Sequence, residues 1–105
     1  MLAWLLCIIQ LADAFWRLPC ISPVLVERAD PIINPGKPSP HLHTIMGGNG
    51  FGFSMDYAQT QASQCSTCTV QKDLSNYWIP SLWYAGENGT FTDVKQVGGA
   101  TIYYL

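Results

Sequence analysis

The sequence predicts a mainly β protein, an antiparallel sheet or sandwich with long loops and one short helix. Three observations lead there. Short runs rich in Val, Ile, Trp and Tyr are separated by clusters of Gly, Pro and Asn, the spacing of strands and turns. Proline recurs between Pro31 and Pro40 at a density that rules out a helix in that stretch. One window alone, behind Ser54, combines good helix formers with freedom from proline.

Taken in order, the chain opens on Leu2-Ala3-Trp4-Leu5-Leu6-Cys7-Ile8-Ile9, an apolar run closed by Ala12-Asp13-Ala14. The run is shorter than the roughly 20 residues a membrane-spanning helix requires. Small residues at the two positions that a signal peptidase inspects place the cut before Phe15. Residues 1–14 therefore read as a signal peptide, and 15–105 as the N-terminal part of a single secreted β-rich domain. No later run is apolar enough to serve as a membrane anchor.

Val24 to Val26 is β-branched and suited to a strand. It leads into Asp30-Pro31-Ile32-Ile33-Asn34-Pro35-Gly36-Lys37-Pro38-Ser39-Pro40, where the prolines argue against any central strand. Asn34-Pro35-Gly36 fits a type II turn, with Pro35 fixing a negative φ and Gly36 supplying the positive one. His41 to Met46 alternates like a strand. Gly47-Gly48-Asn49-Gly50-Phe51-Gly52 then reads as a turning loop, since its glycines match neither the phosphate-loop nor the dinucleotide spacing. Ser54 is the expected N-cap of a helix from Met55 to Ser63. Tyr77–Ala85 and Thr90–Lys95 flank Gly86-Glu87-Asn88-Gly89 and predict a hairpin. A last strand from Ala100 is expected to pair beside it.

Composition narrows the function classes. Arg17, Arg28, Lys37, Lys72 and Lys95 are nearly balanced by Glu27, Asp30, Asp56, Asp73, Glu87 and Asp93, so no basic stripe exists to neutralise phosphates and a nucleic-acid partner is not expected. Charged residues are sparse and aromatic ones plentiful, the reverse of a disordered chain. Asn88-Gly89-Thr90 is an acceptor triplet for N-glycosylation. With Cys7 in the leader, Cys20, Cys65 and Cys68 remain as disulfide candidates, and an odd number leaves one without a partner among them. Cys65-Ser66-Thr67-Cys68 also has the form of a redox pair or half a zinc site, but no thioredoxin-like context or matching ligand spacing accompanies it. Ala100-Thr101-Ile102-Tyr103-Tyr104-Leu105 is strand-like and ends without turn residue or polar tail, from which a domain continuing past Leu105 is expected.

Several blocks in order, Phe15-Trp16-Arg17-Leu18-Pro19-Cys20, Arg28-Ala29-Asp30-Pro31, Asn34-Pro35-Gly36, His41-Leu42-His43-Thr44, Gly47-Gly48, Cys65-Ser66-Thr67-Cys68, Tyr77-Trp78-Ile79-Pro80 and Tyr103-Tyr104-Leu105, resemble a secreted fungal family known as domain of unknown function nineteen ninety-six. The resemblance covers essentially all of residues 15–105. It implies an extracellular or cell-wall location and a longer domain with further cysteines, histidines and aspartates downstream, in a family where some members carry WSC carbohydrate-binding domains. Pro40 stands where the family tends to have a serine, and Gly50 interrupts a loop that usually reads Ser-Asn-Phe.

Two chemistries follow from the residues, and a purely structural wall protein is a third reading. The first is association with cell-wall polysaccharide, for which Trp78 and Trp83 are candidate stacking platforms: an exposed ring receives the apolar face of a pyranose. In one continuous strand, Trp78, Pro80, Leu82 and Tyr84 would share one face and Tyr77, Ile79, Ser81 and Trp83 the other. The alternative is a metal-dependent extracellular hydrolase holding a divalent transition metal. Its candidate ligands are His41 and His43, whose imidazoles point the same way in a strand with Cα atoms roughly 7 Å apart, with Asp30 or Asp56 as a third ligand. Without a metal, the same histidines would hydrogen-bond loop backbone and pin the proline-rich segment.

Overall fold

The computed structural model describes residues 15–105; the signal peptide assigned to residues 1–14, with Cys7, lies outside them. The described chain runs β1 (Trp16–Cys20), β2 (Leu25–Ala29), β3 (Pro38–Gly47), α1 (Tyr57–Gln61), β4 (Asn76–Pro80), β5 (Trp83–Ala85), β6 (Phe91–Asp93) and β7 (Ala100–Tyr104). Three antiparallel units result: a three-stranded sheet in the order β2-β3-β4, and two ribbons, β1-β7 and β5-β6. This is the mainly β, antiparallel class with one short helix that the sequence predicts. Among the described residues no helix is long and apolar enough to cross a membrane.

The core forms where the β1-β7 ribbon meets β3 and β4. Leu18, Cys20, Met46 and Cys68 are buried together, with Tyr77, Ala100 and Ile102 packed against them. Cys20 and Cys68 are joined by a disulfide across 48 residues of chain, and the backbone runs alongside it: Ile21 N–H donates to Thr67 O and Thr69 N–H to Pro19 O, each at 2.9 Å. Cys65 is free and exposed. Gly47 closes β3 with φ +102, and a Cβ there would sit 2.0 Å from the Ser75 carbonyl oxygen, so only glycine lets β3 approach the 74–76 segment.

Several elements differ from the sequence expectation, each for a local reason. The proline-rich stretch does enter a central strand, since β3 begins at Pro38. However, β4 pairs only with His43 to Gly47, so Pro38 and Pro40 lie where β3 has β2 alone beside it and a missing N–H costs no ladder bond. The turn before it forms as expected, with Lys37 N–H donating to Asn34 O at 3.1 Å and Gly36 at φ +68. The helix starts later than Ser54 implies. Asp56 is its N-cap, accepting from Gln59 N–H at 2.9 Å while the Gln59 side chain accepts from Asp56 N–H, a reciprocal capping box that fixes the first turn at Tyr57.

Tyr77 to Ala85 is two strands. Pro80 ends β4, Ser81 N–H still reaches Leu42 O, and the chain then turns away to pair β5 with β6. The Gly86-Glu87-Asn88-Gly89 hairpin turn is present, with Gly86 N–H donating to Thr90 O at 2.8 Å and Gly89 at φ +78. The final strand pairs elsewhere than expected. β7 joins β1, Leu18 opposite Ile102, because that register puts both side chains into the disulfide-centred core.

Candidate functional site

The two faces of the β2-β3-β4 sheet have different chemistry. Cross-strand partners share a face, and Met46 with Tyr77 and Thr44 with Ile79 face the ribbon core. His41, His43, Ile45 and Trp78 alternate onto the opposite face, where Ile45 pairs with Trp78. Phe51 covers part of that side, its ring 5.8 Å from Trp78 in an edge-to-face arrangement.

His43 is 4% exposed, and its Nδ1 lies 2.8 Å from the Ala29 carbonyl oxygen. A carbonyl oxygen only accepts, so Nδ1 carries the proton and the Nε2 lone pair is left free in the neutral ring. The bond spans the end of β2, where the register shifts between Glu27 and Ala29 and Arg28 Nε donates to Ser39 O at 2.8 Å. His41 is exposed on the same strand. Its ring centroid stands 4.7 Å from that of His43, with the planes inclined at 75°.

Asp30 follows Ala29 directly and is buried. Its Oδ1 accepts from the N–H groups of Ile33 at 3.0 Å and Ile32 at 3.1 Å, an Asx-type turn that opens the proline-rich loop. The bond from Ile33 chiefly holds the carboxyl below its ordinary pKa. Burial opposes this, and the Ile32 bond, the electrostatic effect of His43 and the Trp78 indole add to the lowering. Asp56, the other candidate third ligand, caps α1. Among the described residues no three His, Cys, Asp or Glu side chains converge as a metal-binding group.

Beside Trp78 opens a cleft of about 590 Å³ between α1 and the 72–76 segment. Tyr57, Thr60 and Gln61 line it from the helix, Lys72, Asp73 and Asn76 from the facing chain, and Trp78 from the sheet. Trp83 is not among its lining residues; it is 42% exposed on β5, opposite Asp93. Asp73 is tied to β4 and β7 through Tyr77, whose hydroxyl donates to Asp73 Oδ2 at 2.7 Å and is also paired with the Tyr104 hydroxyl. Burial raises the Asp73 carboxyl, and the bonds from Tyr77 and Ser75 more than reverse this, leaving it below its ordinary value. Burial, followed by the Tyr104 and Asp73 partners, pushes the Tyr77 phenol up.

Sequence reasoning reached Trp78, and Asp56 as a candidate metal ligand, and missed the rest of the cleft. A signal for the helical side was present, because the Asp56-Tyr57-Ala58-Gln59 box sets the helix start and thereby puts Tyr57, Thr60 and Gln61 on one side at spacings of three and four. Lys72, Asp73 and Asn76 lie in and beside a loop with no local pattern, and only the fold brings them to Trp78. Asn88 is exposed at the hairpin tip, its Oδ1 accepting from Thr90 N–H at 3.1 Å and from Thr90 Oγ1 at 2.7 Å.

No curated protein matches the chain, and no solved structure does. A family model described as Domain of unknown function (DUF1996) matches residues 30–105, a stretch that contains both histidines, Cys65 and Cys68, every residue of the cleft and Asn88-Gly89-Thr90. With well over half of its length inside that match, the chain belongs to the DUF1996 family.

Proposed function

We propose that this is a secreted, glycosylated fungal protein of the cell wall that associates with polysaccharide through the cleft beside Trp78. The observation that carries this reading is the mixture of side chains in the cleft. Two aromatic rings, Trp78 and Tyr57, are interleaved with the hydroxyl of Thr60, the amides of Gln61 and Asn76 and the carboxylate of Asp73. A sugar ring offers an apolar face and a rim of hydroxyls that both donate and accept, so a site for it combines a flat ring with such groups. The cleft is open at the surface, as a polymer requires, and its volume lies within the range of about 300–1,000 Å³ usual for ligand sites. Asn88 at the exposed hairpin tip is the glycan acceptor of this reading, and secretion follows from the signal peptide read at residues 1–14.

Co-sedimentation of the secreted protein with insoluble β-glucan and with chitin tests this. Tyr57 is 79% exposed and makes no core contact, so Tyr57→Ala leaves the fold intact. Loss of one stacking ring should weaken retention about three- to tenfold. Failure of the wild-type protein to sediment with either polymer overturns the reading.

A further inference from the structure

We infer that His41 and His43 form a two-imidazole chelate for a divalent transition metal ion, Cu(II) before Zn(II). The inference stands on the geometry of the histidine pair and is independent of the saccharide cleft. Two rings can grip one ion from the same side only if their separation matches the bond lengths. A metal lies about 2.0–2.1 Å from a ligating imidazole nitrogen. The ring centre lies about 1.1 Å beyond the nitrogen, so each centroid sits about 3.2 Å from the ion. Centroids 4.7 Å apart then correspond to an angle of about 95° at the metal, that of two neighbouring corners of a square or octahedron.

The inclination of the rings, 75°, lets one nitrogen of each turn toward a shared point without the rings stacking. Chain geometry supplies the rest. The two residues are next-but-one on β3, so the backbone holds the pair and only the side-chain torsion of the exposed His41 must be ordered on binding. His43 is already ordered: its Nδ1–H donates to Ala29 O, the kind of bond that fixes the tautomer and aims the other nitrogen in metal-bound histidines. That bond pins the end of β2 and leaves Nε2 without a hydrogen-bond partner among those found, so the structural and ligating uses of His43 are compatible.

Two imidazoles leave the remaining positions to solvent or to an added oxygen ligand. Such a site follows the order in which Cu(II) binds imidazole more strongly than Zn(II). Two ligands hold an ion more weakly than a closed four-ligand structural zinc site, so exchangeable binding is expected.

The test uses the secreted protein with Cys65→Ser, which removes an exposed thiol that would otherwise capture or reduce copper. Calorimetric titration with CuCl2, and separately with ZnCl2, should show one ion per chain and tighter binding of copper. The electron spin resonance spectrum of the copper form should show coupling to two imidazole nitrogens. His41→Ala, at an exposed position with no side-chain hydrogen bond among those found, should lower copper affinity on the order of tenfold or more. His43→Ala risks unfolding the end of β2, so His43→Asn is the second variant: its amide keeps a donor to Ala29 O and removes the Nε2 ligand. It should lose copper to the same extent with an unchanged melting temperature in metal-free buffer. Copper binding retained in both variants, or a spectrum with no coupled imidazole, overturns the inference.

Discussion

The β2-β3-β4 sheet and the β5-β6 hairpin are built by opposite means. Every residue from His43 to Gly48 is buried, with partners supplied by strands and loops from distant parts of the chain. All six residues of β5 and β6 are exposed, and the hairpin is held by its own turn and three cross-strand pairs. The sheet is thus stabilised by what it buries and the hairpin by what its turn dictates. An isolated two-stranded ribbon is marginal in water, so the hairpin should open locally while the sheet unfolds only with the whole domain.

The sharpest way to break this contrast is at the disulfide. Removing it by Cys20→Ser together with Cys68→Ser releases a 48-residue separation at the centre of the buried cluster. This should cost about 2–5 kcal/mol, read as a large fall in melting temperature, while exchange of the β5-β6 amides should change little. A double variant that melts at the wild-type temperature would mean that the core does not depend on this bridge.

Glycine replacements give the next largest effect and compare the two regions directly. Gly47→Ala puts a methyl against the Ser75 carbonyl oxygen and strains a φ of +102, so it should destabilise the domain by about 1–3 kcal/mol or more. Gly89→Ala meets nothing within 4 Å and pays only for its positive φ, about 1 kcal/mol. Its effect should appear as faster hydrogen exchange confined to residues 83–93, with the global melt nearly unchanged.

A pH series sharpens the same comparison, since the shifted groups belong to the sheet and its surroundings. Asp30 and Asp73 have folded pKa values below the ordinary 3.8. Their contribution is present in full above that value and is lost as pH falls through it toward the folded values. Stability should therefore drop below about pH 4, and Asp30→Asn and Asp73→Asn should each flatten that limb in thermal melts. Tyr77 has the opposite sign: its raised pKa stabilises the fold below the ordinary value of 10.0 and that support is lost as pH rises beyond it. Tyr77→Phe should remove the part of the alkaline loss due to this group. The smallest change is expected at the hairpin tip, where on the proposed reading Asn88→Gln should abolish N-glycosylation in a secreting host, seen by mass, with a shift of less than about 0.5 kcal/mol in stability.

The difference between the two regions also explains what could be read in advance. Elements whose cause is local were legible in the amino-acid order alone. Asn34-Pro35-Gly36 carries its own type II turn, Gly86 to Gly89 its own hairpin reversal, and the alternation from His41 to Met46 its own strand, since each depends on φ preferences or side-chain period within a few residues. That order also named His41, His43, Asp30 and Trp78 as residues of chemical interest. Their neighbours are set by the packed fold. That β7 pairs with β1 rather than with the hairpin follows from burying Leu18 and Ile102 around a disulfide whose cysteines lie 48 residues apart. That Pro38 can open a central strand follows from where β4 stops. That Trp78 borders a cleft follows from α1 and the 72–76 loop arriving beside it. Such pairings are set by the summed burial of side chains from separate strands, a quantity with no signature in any short stretch of sequence.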